Sequence, residues 1–334
     1  MTQLATANSS LASGWSRLPA AYAIPASAPT IVEAREYCAH LARTHYENFS
    51  VATWFLPRGL RPHFFNVYAY CRISDDLGDE VGDAAASLEL LDQWQAELDA
   101  CYGGTPKHPV FVALAETVRE FDIPKHEFSD LLIAFRQDQT VTRFETFEDV
   151  LAYCHYSANP VGHLVLYLCG YRDVERQQLS DYTCTALQLA NFWQDVTVDY
   201  AKGRIYLPLE DLRRFGVSED DIACNRNTPA SCTMMKFEVE RARDWFQKGL
   251  PLVGQVDRDL AIDLDLFSRG GQEILRAIAM QGYAVLGNRP SISKSRKLAL
   301  VARAAASKFF PSSTVTGARE PLPHKVSQSG VDQE

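Results

Sequence analysis

Tyr68-Ala69-Tyr70-Cys71-Arg72-Ile73-Ser74-Asp75-Asp76-Leu77-Gly78-Asp79-Glu80 decides how the chain is read. Its acids stand four residues apart inside an apolar, helical pattern. Four residues of α-helix rise roughly 6 Å and return almost to the same face. Asp75 and Asp79 form one pair, Asp76 and Glu80 a neighbouring pair, and Tyr68, Arg72, Asp75 and Asp79 share a stripe. Like charges at this spacing weaken a bare helix. Five acids between positions 75 and 83 have only Arg72 close in sequence. A cation is expected to compensate them, and hard oxygen donors suit Mg2+.

A second acidic stretch follows about 120 positions later: Asn191-Phe192-Trp193-Gln194-Asp195-Val196-Thr197-Val198-Asp199. Asn191, Asp195 and Asp199 again form a single oxygen stripe. Either stretch alone is often just a solvated acidic face. Both, however, sit in apolar, aromatic-rich helices. Phe64, Phe65, Tyr68 and Tyr70 precede the first, Phe192 and Trp193 lie inside the second, and Gly203-Arg204-Ile205-Tyr206-Leu207-Pro208 follows at once. Two such clusters on facing helices can bind metal-complexed diphosphate and neutralise it as a leaving group. Ionising an allylic diphosphate leaves a carbocation, which needs dry surroundings and aromatic faces.

Around these clusters the pattern is helical throughout. Apolar residues recur at three- and four-residue spacing near 31–47, 62–83, 87–101, 109–121, 125–138, 146–169, 179–201, 232–249 and 258–287, with prolines at the boundaries. Strand-like alternation is absent. The expected fold is all-α, one domain over residues 30–310, with loose Ala/Ser/Pro-rich tails at 1–29 and 311–334. The chain has 334 residues and 46% hydrophobic content, enough for a large core. Its net charge of −9 argues against nucleic acid as a partner. No run of about 18 uncharged apolar residues suggests a membrane span, and no signal-peptide pattern opens the chain. Eight scattered cysteines without a C-x-x-C pair fit reduced thiols in a cytoplasmic protein. His155 and His163 read as packing or surface groups, not ligands.

From Ile274 to Arg319 there is no acid, whereas Arg276, Arg289, Lys294, Arg296, Lys297, Arg303, Lys308 and Arg319 are basic. A helix near 293–309 therefore has a cationic face. Two accounts stay open: a solvated face balancing an acidic body, or peripheral contact with an anionic membrane.

The stretch 68–80 resembles the first aspartate-rich motif of the squalene/phytoene synthase family, and 191–200 with 202–208 is similar to its second. Tyr46–Ser50 with Phe55-Leu56-Pro57, Tyr153–Gly162 and Gly282-Tyr283 resemble further family segments. The resemblance covers roughly 31–300. It implies an all-α isoprenoid-synthase bundle with a central cavity, and Mg2+-dependent chemistry on a prenyl diphosphate substrate. It implies metal positions at Asp75, Asp76, Asp79, Asn191, Asp195 and Asp199. Arg72, Gln194, Arg204 and Tyr206 would lie near diphosphate, and Tyr68, Tyr153, Asn159 and Tyr283 at the reacting centre. Gln194 stands where the family usually has Arg, and Asn159-Pro160 where it usually has Gly and a further residue. These forms resemble a bacterial branch associated with hopanoid synthesis, which turns presqualene diphosphate into hydroxysqualene. The resemblance thus implies work beside other enzymes of squalene or hopanoid synthesis. The alternatives are head-to-head condensation of two farnesyl or geranylgeranyl diphosphates, and a non-catalytic assembly subunit of the same fold.

Overall fold

A computed structural model of the chain describes residues 18–44 and 57–309. Thirteen α-helices are present among the described residues: α1 (Ile31–Thr44), α2 (Arg61–Asp79), α3 (Ala84–Gly103), α4 (Pro109–Phe121), α5 (His126–Gln137), α6 (Phe147–Ser157), α7 (Asn159–Leu168), α8 (Val174–Ala201), α9 (Leu209–Phe215), α10 (Glu219–Ala223), α11 (Pro229–Gly249), α12 (Arg258–Met280) and α13 (Lys294–Phe309). There is no strand among the described residues, only an isolated bridge between Arg143 and Ile205. The all-α expectation holds.

The helix starts follow local chemistry. Asp83, Asp173 and Asp257 accept hydrogen bonds from the first-turn N–H groups of α3, α8 and α12. Thr146 with Asp149 and Ser218 with Asp221 form reciprocal caps on α6 and α10. The stretch expected as one helix over 146–169 is broken at Ala158 (φ −122°). Pro160 has no N–H to continue the ladder, and its ring crowds the turn before it. The pattern through 287 also stops early. α12 ends at Met280, and Gly282 and Tyr283 both have positive φ. The tail expected over 1–29 is shorter at its inner end: Leu18 and Tyr22 are buried, and the Tyr22 hydroxyl donates to Asp76 at 2.8 Å. Residues 45–56, including most of the Tyr46–Pro57 segment, and both outer tails lie outside the described residues.

Two apolar cores form. The first joins α1 to α5 and α7 around Tyr70, Trp94, Phe111 and Phe128. There the Tyr70 hydroxyl donates to the Phe128 carbonyl (2.8 Å) and Trp94 Nε1 donates to Ser74 Oγ (2.9 Å). The second joins α6, α8, α11 and α12 around Phe144, Tyr153, Phe192, Trp193 and Phe246. Close crossing within it depends on Gly271, where an added Cβ would fall 2.4 Å from the Phe246 ring. The first acidic motif rides on α2 in the first core and the second on α8 in the other, so the candidate site lies at their seam.

His163 ties three helices. Its Nδ1 stands 3.0 Å from Glu127 of α5 and its Nε2 2.7 Å from Asp181 of α8. Burial alone lowers its pKa, but the two carboxylates outweigh that and raise it to about 9. A raised His pKa stabilises the fold fully below the unfolded value near 6.5, and the gain is lost as pH climbs through 9. The gain is roughly 3 kcal/mol at most. Urea unfolding of wild type and His163→Gln should differ by about that amount near pH 6.5 and converge near pH 10. A gap that stays constant with pH refutes the clip.

Candidate active site

α2 and α8 deliver their carboxylates to one place through two cations. Arg204 Nη1 donates to Asp79 Oδ1 at 2.8 Å, and Lys202 Nζ donates to Asp79 Oδ2 at 2.9 Å. Both cations come from the turn directly after α8, so Asp79 of the first motif sits against the end of the second. The turn is set by Gly203 (φ +83°) and by the Arg204 N–H donating to the Asp199 carbonyl. The Ile205 N–H donating to the Thr142 carbonyl (2.9 Å) pins the next residues to the segment after α5.

Charges at this junction are uneven. Burial raises the Asp79 pKa, but Arg204 and then Lys202 outweigh it, and the carboxyl ends below its usual range. Asp75 is pushed up to about 6 by burial and then by Asp79, with Arg72 opposing from 3.7 Å. Asp199 is pushed up to about 7 by burial and then by Asp195, and among the described residues its side chain forms no ion pair. Asp195 is gripped by the fork of Arg289, with Nη2 at 2.9 Å from Oδ2. Asn191 is exposed on the same stripe.

Below this junction lies an aromatic box. Phe192 and Tyr206 stack at 3.9 Å and 7°. Phe144 and Tyr153 each stand within 5.5 Å of Tyr206. Asp138, just past α5, is buried at the centre: its carboxylate accepts from the Tyr153 hydroxyl (2.9 Å) and the Tyr206 hydroxyl (3.3 Å). Burial raises Asp138 to about 6 against the pull of Arg204. The same burial raises both tyrosines. Arg204 Nη2 also reaches the Asp138 carbonyl at 3.4 Å, which couples the box to the acidic junction. Gln139 fixes the assembly by donating to the Gly78 carbonyl at 2.9 Å.

The other expected site residues fall in several places. Asp76 points away from Asp75 and Asp79; it is buried and bonded to Tyr22 and Arg72. Arg72 is accordingly paired within its own helix. Tyr68 is half-buried one turn before it, its pKa raised by burial. Gln194 is turned to the segment after α12 and donates to the Pro290 carbonyl at 2.6 Å, so the expected diphosphate contact is instead a tether in this structure. Asn159 is buried at the α6–α7 break, where its Oδ1 accepts from Thr185 at 3.1 Å. Tyr283 lines a small apolar pocket with Leu207, Met234, Met235 and Leu286, and no described contact brings it to Tyr153 or the carboxylates. The sequence reading missed Asp138, Gln139 and Lys202, and took Arg289 only as part of a basic segment.

The donors fit Mg2+ in type. Among the described residues no three His, Cys, Asp or Glu side chains gather closely enough to hold an ion alone. Mg2+ is commonly held by one or two carboxylates together with substrate phosphates, not by an all-protein cage. Carboxylate pairs such as Asp75/Asp79 and Asp195/Asp199, at a junction rich in Arg and Lys, match that requirement. Asp75 and Asp199 have negative charge that the protein's own cations leave incompletely balanced.

The sequence pattern of the squalene/phytoene synthase family matches residues 42–296, and the chain belongs to that family. It is 30% identical over 281 residues to a 15-cis-phytoene synthase of Synechocystis sp., covering 80% of this chain and 83% of that protein. Its fold is similar to the crystal structure of squalene synthase HpnC from Alicyclobacillus acidocaldarius, with TM-score 0.73 and 43% identity over 82% of this chain and 98% of that one. A dehydrosqualene synthase solved with ligand gives TM-score 0.75 at 26% identity, covering 84% and 98%. Enzymes of this family process prenyl diphosphates and generally depend on a divalent metal. No helix among the described residues is long and apolar enough to cross a membrane.

Proposed function

We propose that the chain converts presqualene diphosphate and water to hydroxysqualene and diphosphate. The observation that carries the reading is the junction of Asp79 with Lys202 and Arg204, set directly above a buried aromatic box. Mg2+, when bound with the substrate, neutralises charge on the departing diphosphate. Asp75, Asp79, Asn191, Asp195 and Asp199 would hold it. Lys202 and Arg204 exchange Asp79 for diphosphate oxygens, since a guanidinium fork and an ammonium serve either anion. The C–O bond to diphosphate breaks with its electron pair on oxygen, leaving a cyclopropylcarbinyl cation. Tyr153, beside the stacked Phe192 and Tyr206, would offer that cation an aromatic wall that attracts it without reacting with it. After rearrangement, a water oxygen forms the new C–O bond and its proton ends on diphosphate.

Support for capture by water comes from two positions. Gln194 supplies no positive charge where the family usually has Arg. Asn159 keeps a buried carboxamide at the helix break, where its oxygen accepts from Thr185. The 43% identity to squalene synthase HpnC over nearly that whole chain supports a substrate of the squalene series. The 30% identity to a 15-cis-phytoene synthase supports a second reading, head-to-head condensation of two prenyl diphosphates.

The deciding measurement incubates the pure protein and Mg2+ with presqualene diphosphate alone, and separately with farnesyl or geranylgeranyl diphosphate. A C30 alcohol formed from presqualene diphosphate, without farnesyl diphosphate or a nicotinamide reductant, is the expected result. No turnover of presqualene diphosphate, with coupled C30 or C40 hydrocarbon from the shorter substrates, would favour condensation. Inertness toward all three would leave the assembly-subunit alternative.

A further inference from the structure

We propose that the outward face of α13 docks on an anionic lipid bilayer. This surface lies outside the catalytic junction, and the argument for it does not depend on the reaction.

α13 lies antiparallel on α12. Arg296 pairs with Glu273 near one end (2.8 and 2.9 Å) and Lys308 with Asp259 near the other (3.6 Å). Arg258 also donates to the Ser307 carbonyl (2.7 Å). Ala304 is buried against Ile262, with Leu266 and Ala305 around it. These contacts fix which side of α13 faces in. At 100° per residue, the opposite side carries Ser295, Leu298, Ala299, Ala302 and Ala306. All five are exposed, and Leu298 is 70% exposed.

The apolar strip has cationic borders. Lys294 lies on one edge and Arg303 on the other, whereas Lys297 stands about 20° from Ala304 on the α12 side; all three are exposed. Among the described residues none of the three has an acidic partner, in contrast to Arg296 and Lys308. From Ile274 to the end of α13 the chain has no acid, although the whole protein carries −9. Met280, 75% exposed, ends α12 seven residues beyond Glu273. That is roughly 10 Å further along the axis, toward the Lys294 end of α13.

A hydrocarbon strip between cations matches the boundary between lipid headgroups and acyl chains. A nucleic acid would use the cations but leave Leu298 and Met280 bare. An acidic protein partner would face the same mismatch along the alanine strip. A strip this thin binds weakly on its own, so the charges should carry most of the affinity. Each Lys or Arg near an anionic surface strengthens binding about fivefold, and the two that border the strip together on the order of 25-fold.

The test is flotation of the full-length protein with vesicles of phosphatidylcholine alone or mixed with phosphatidylglycerol, at low and high salt, with polyuridylate as a competitor arm. The expected result is binding to the anionic vesicles, lost at high salt and absent on neutral ones. Lys294→Gln/Arg303→Gln should lower the partition coefficient on the order of 25-fold, and Leu298→Glu should lower it too, with unchanged helical circular dichroism. Wild type that stays unbound, floats equally with neutral vesicles, or prefers the polynucleotide overturns the proposal. So does undiminished binding by the folded double variant. None of these readouts uses a substrate, so failure here is separate from failure of the proposed reaction.

Discussion

Asp195→Asn should lower turnover of presqualene diphosphate by on the order of 1,000-fold while the helical circular dichroism stays unchanged. A thousandfold corresponds to about 4 kcal/mol of lost transition-state stabilisation. The substitution keeps shape but removes one negative charge from the Asp195/Asp199 pair that would hold the metal–diphosphate complex. The fold has little reason to suffer. The structural partner of Asp195 is Arg289, and the segment bearing Arg289 keeps its other attachments. Gln194 Nε2 still donates to the Pro290 carbonyl (2.6 Å), the Gly287 N–H to Thr197 (3.1 Å), and Asn227 still bonds both backbone groups of Leu286. Asp79→Asn should behave likewise, with an added loss because Lys202 and Arg204 are positioned by that carboxylate. Glu80→Gln is the control: Glu80 is exposed at the end of α2, and its turnover should match wild type. Activity of Asp195→Asn within tenfold of wild type would remove Asp195 from the metal set.

Which acids share one face could be read from the sequence by helix geometry. Asp75 with Asp79 and Asp195 with Asp199 repeat at four residues, and this local periodicity survives folding. Their immediate neighbours were harder. One residue along a helix turns the side chain by 100°. Asp76 therefore leaves the Asp75 face and meets Tyr22 and Arg72, and Gln194 leaves the Asp195 face and meets Pro290. That divergence was available from spacing alone. The assignment of both residues to the site followed the motif as a whole, and not the rotation of its members.

Other elements depended on contacts that no local pattern encodes. Asp138 is a lone acid past the end of α5, with no partner at helical spacing; its role comes from Tyr153 and Tyr206, 15 and 68 residues away. Arg289 reaches Asp195 across 94 positions and, in sequence, is indistinguishable from the other cations of its segment. The α6–α7 break had a visible signal in Pro160. The short helices α9 and α10 offered too few turns for apolar periodicity to appear. The cation expected for the first acidic cluster is supplied in part by the chain itself: Lys202 and Arg204 already hold Asp79, so a diphosphate bound as proposed would exchange with an existing ion pair.

Phe192→Ala should cost about 3–5 kcal/mol of stability, as expected for emptying a buried phenylalanine site. It should also reduce turnover by more than that loss explains. Phe192 is 5% exposed and stacks on Tyr206 at 3.9 Å, with Tyr153 at 6.1 Å and Trp193 at 6.4 Å. Tyr206 and Tyr153 in turn hold the Asp138 carboxylate. Removing the ring leaves both tyrosines without a wall and admits water beside the face that would stabilise the cation. Misplacement by about 1 Å costs on the order of a hundredfold in rate, so a comparable fall in kcat is expected at temperatures where the variant is folded. Phe121→Ala separates the two effects. Phe121 is also buried, but it lies at the end of α4 in the other core, against His63. Its stability loss should match that of Phe192→Ala, while kcat of the folded enzyme stays near wild type. Equal kcat for the two variants would mean that the Phe192 ring contributes packing alone, and that the cation is sheltered elsewhere.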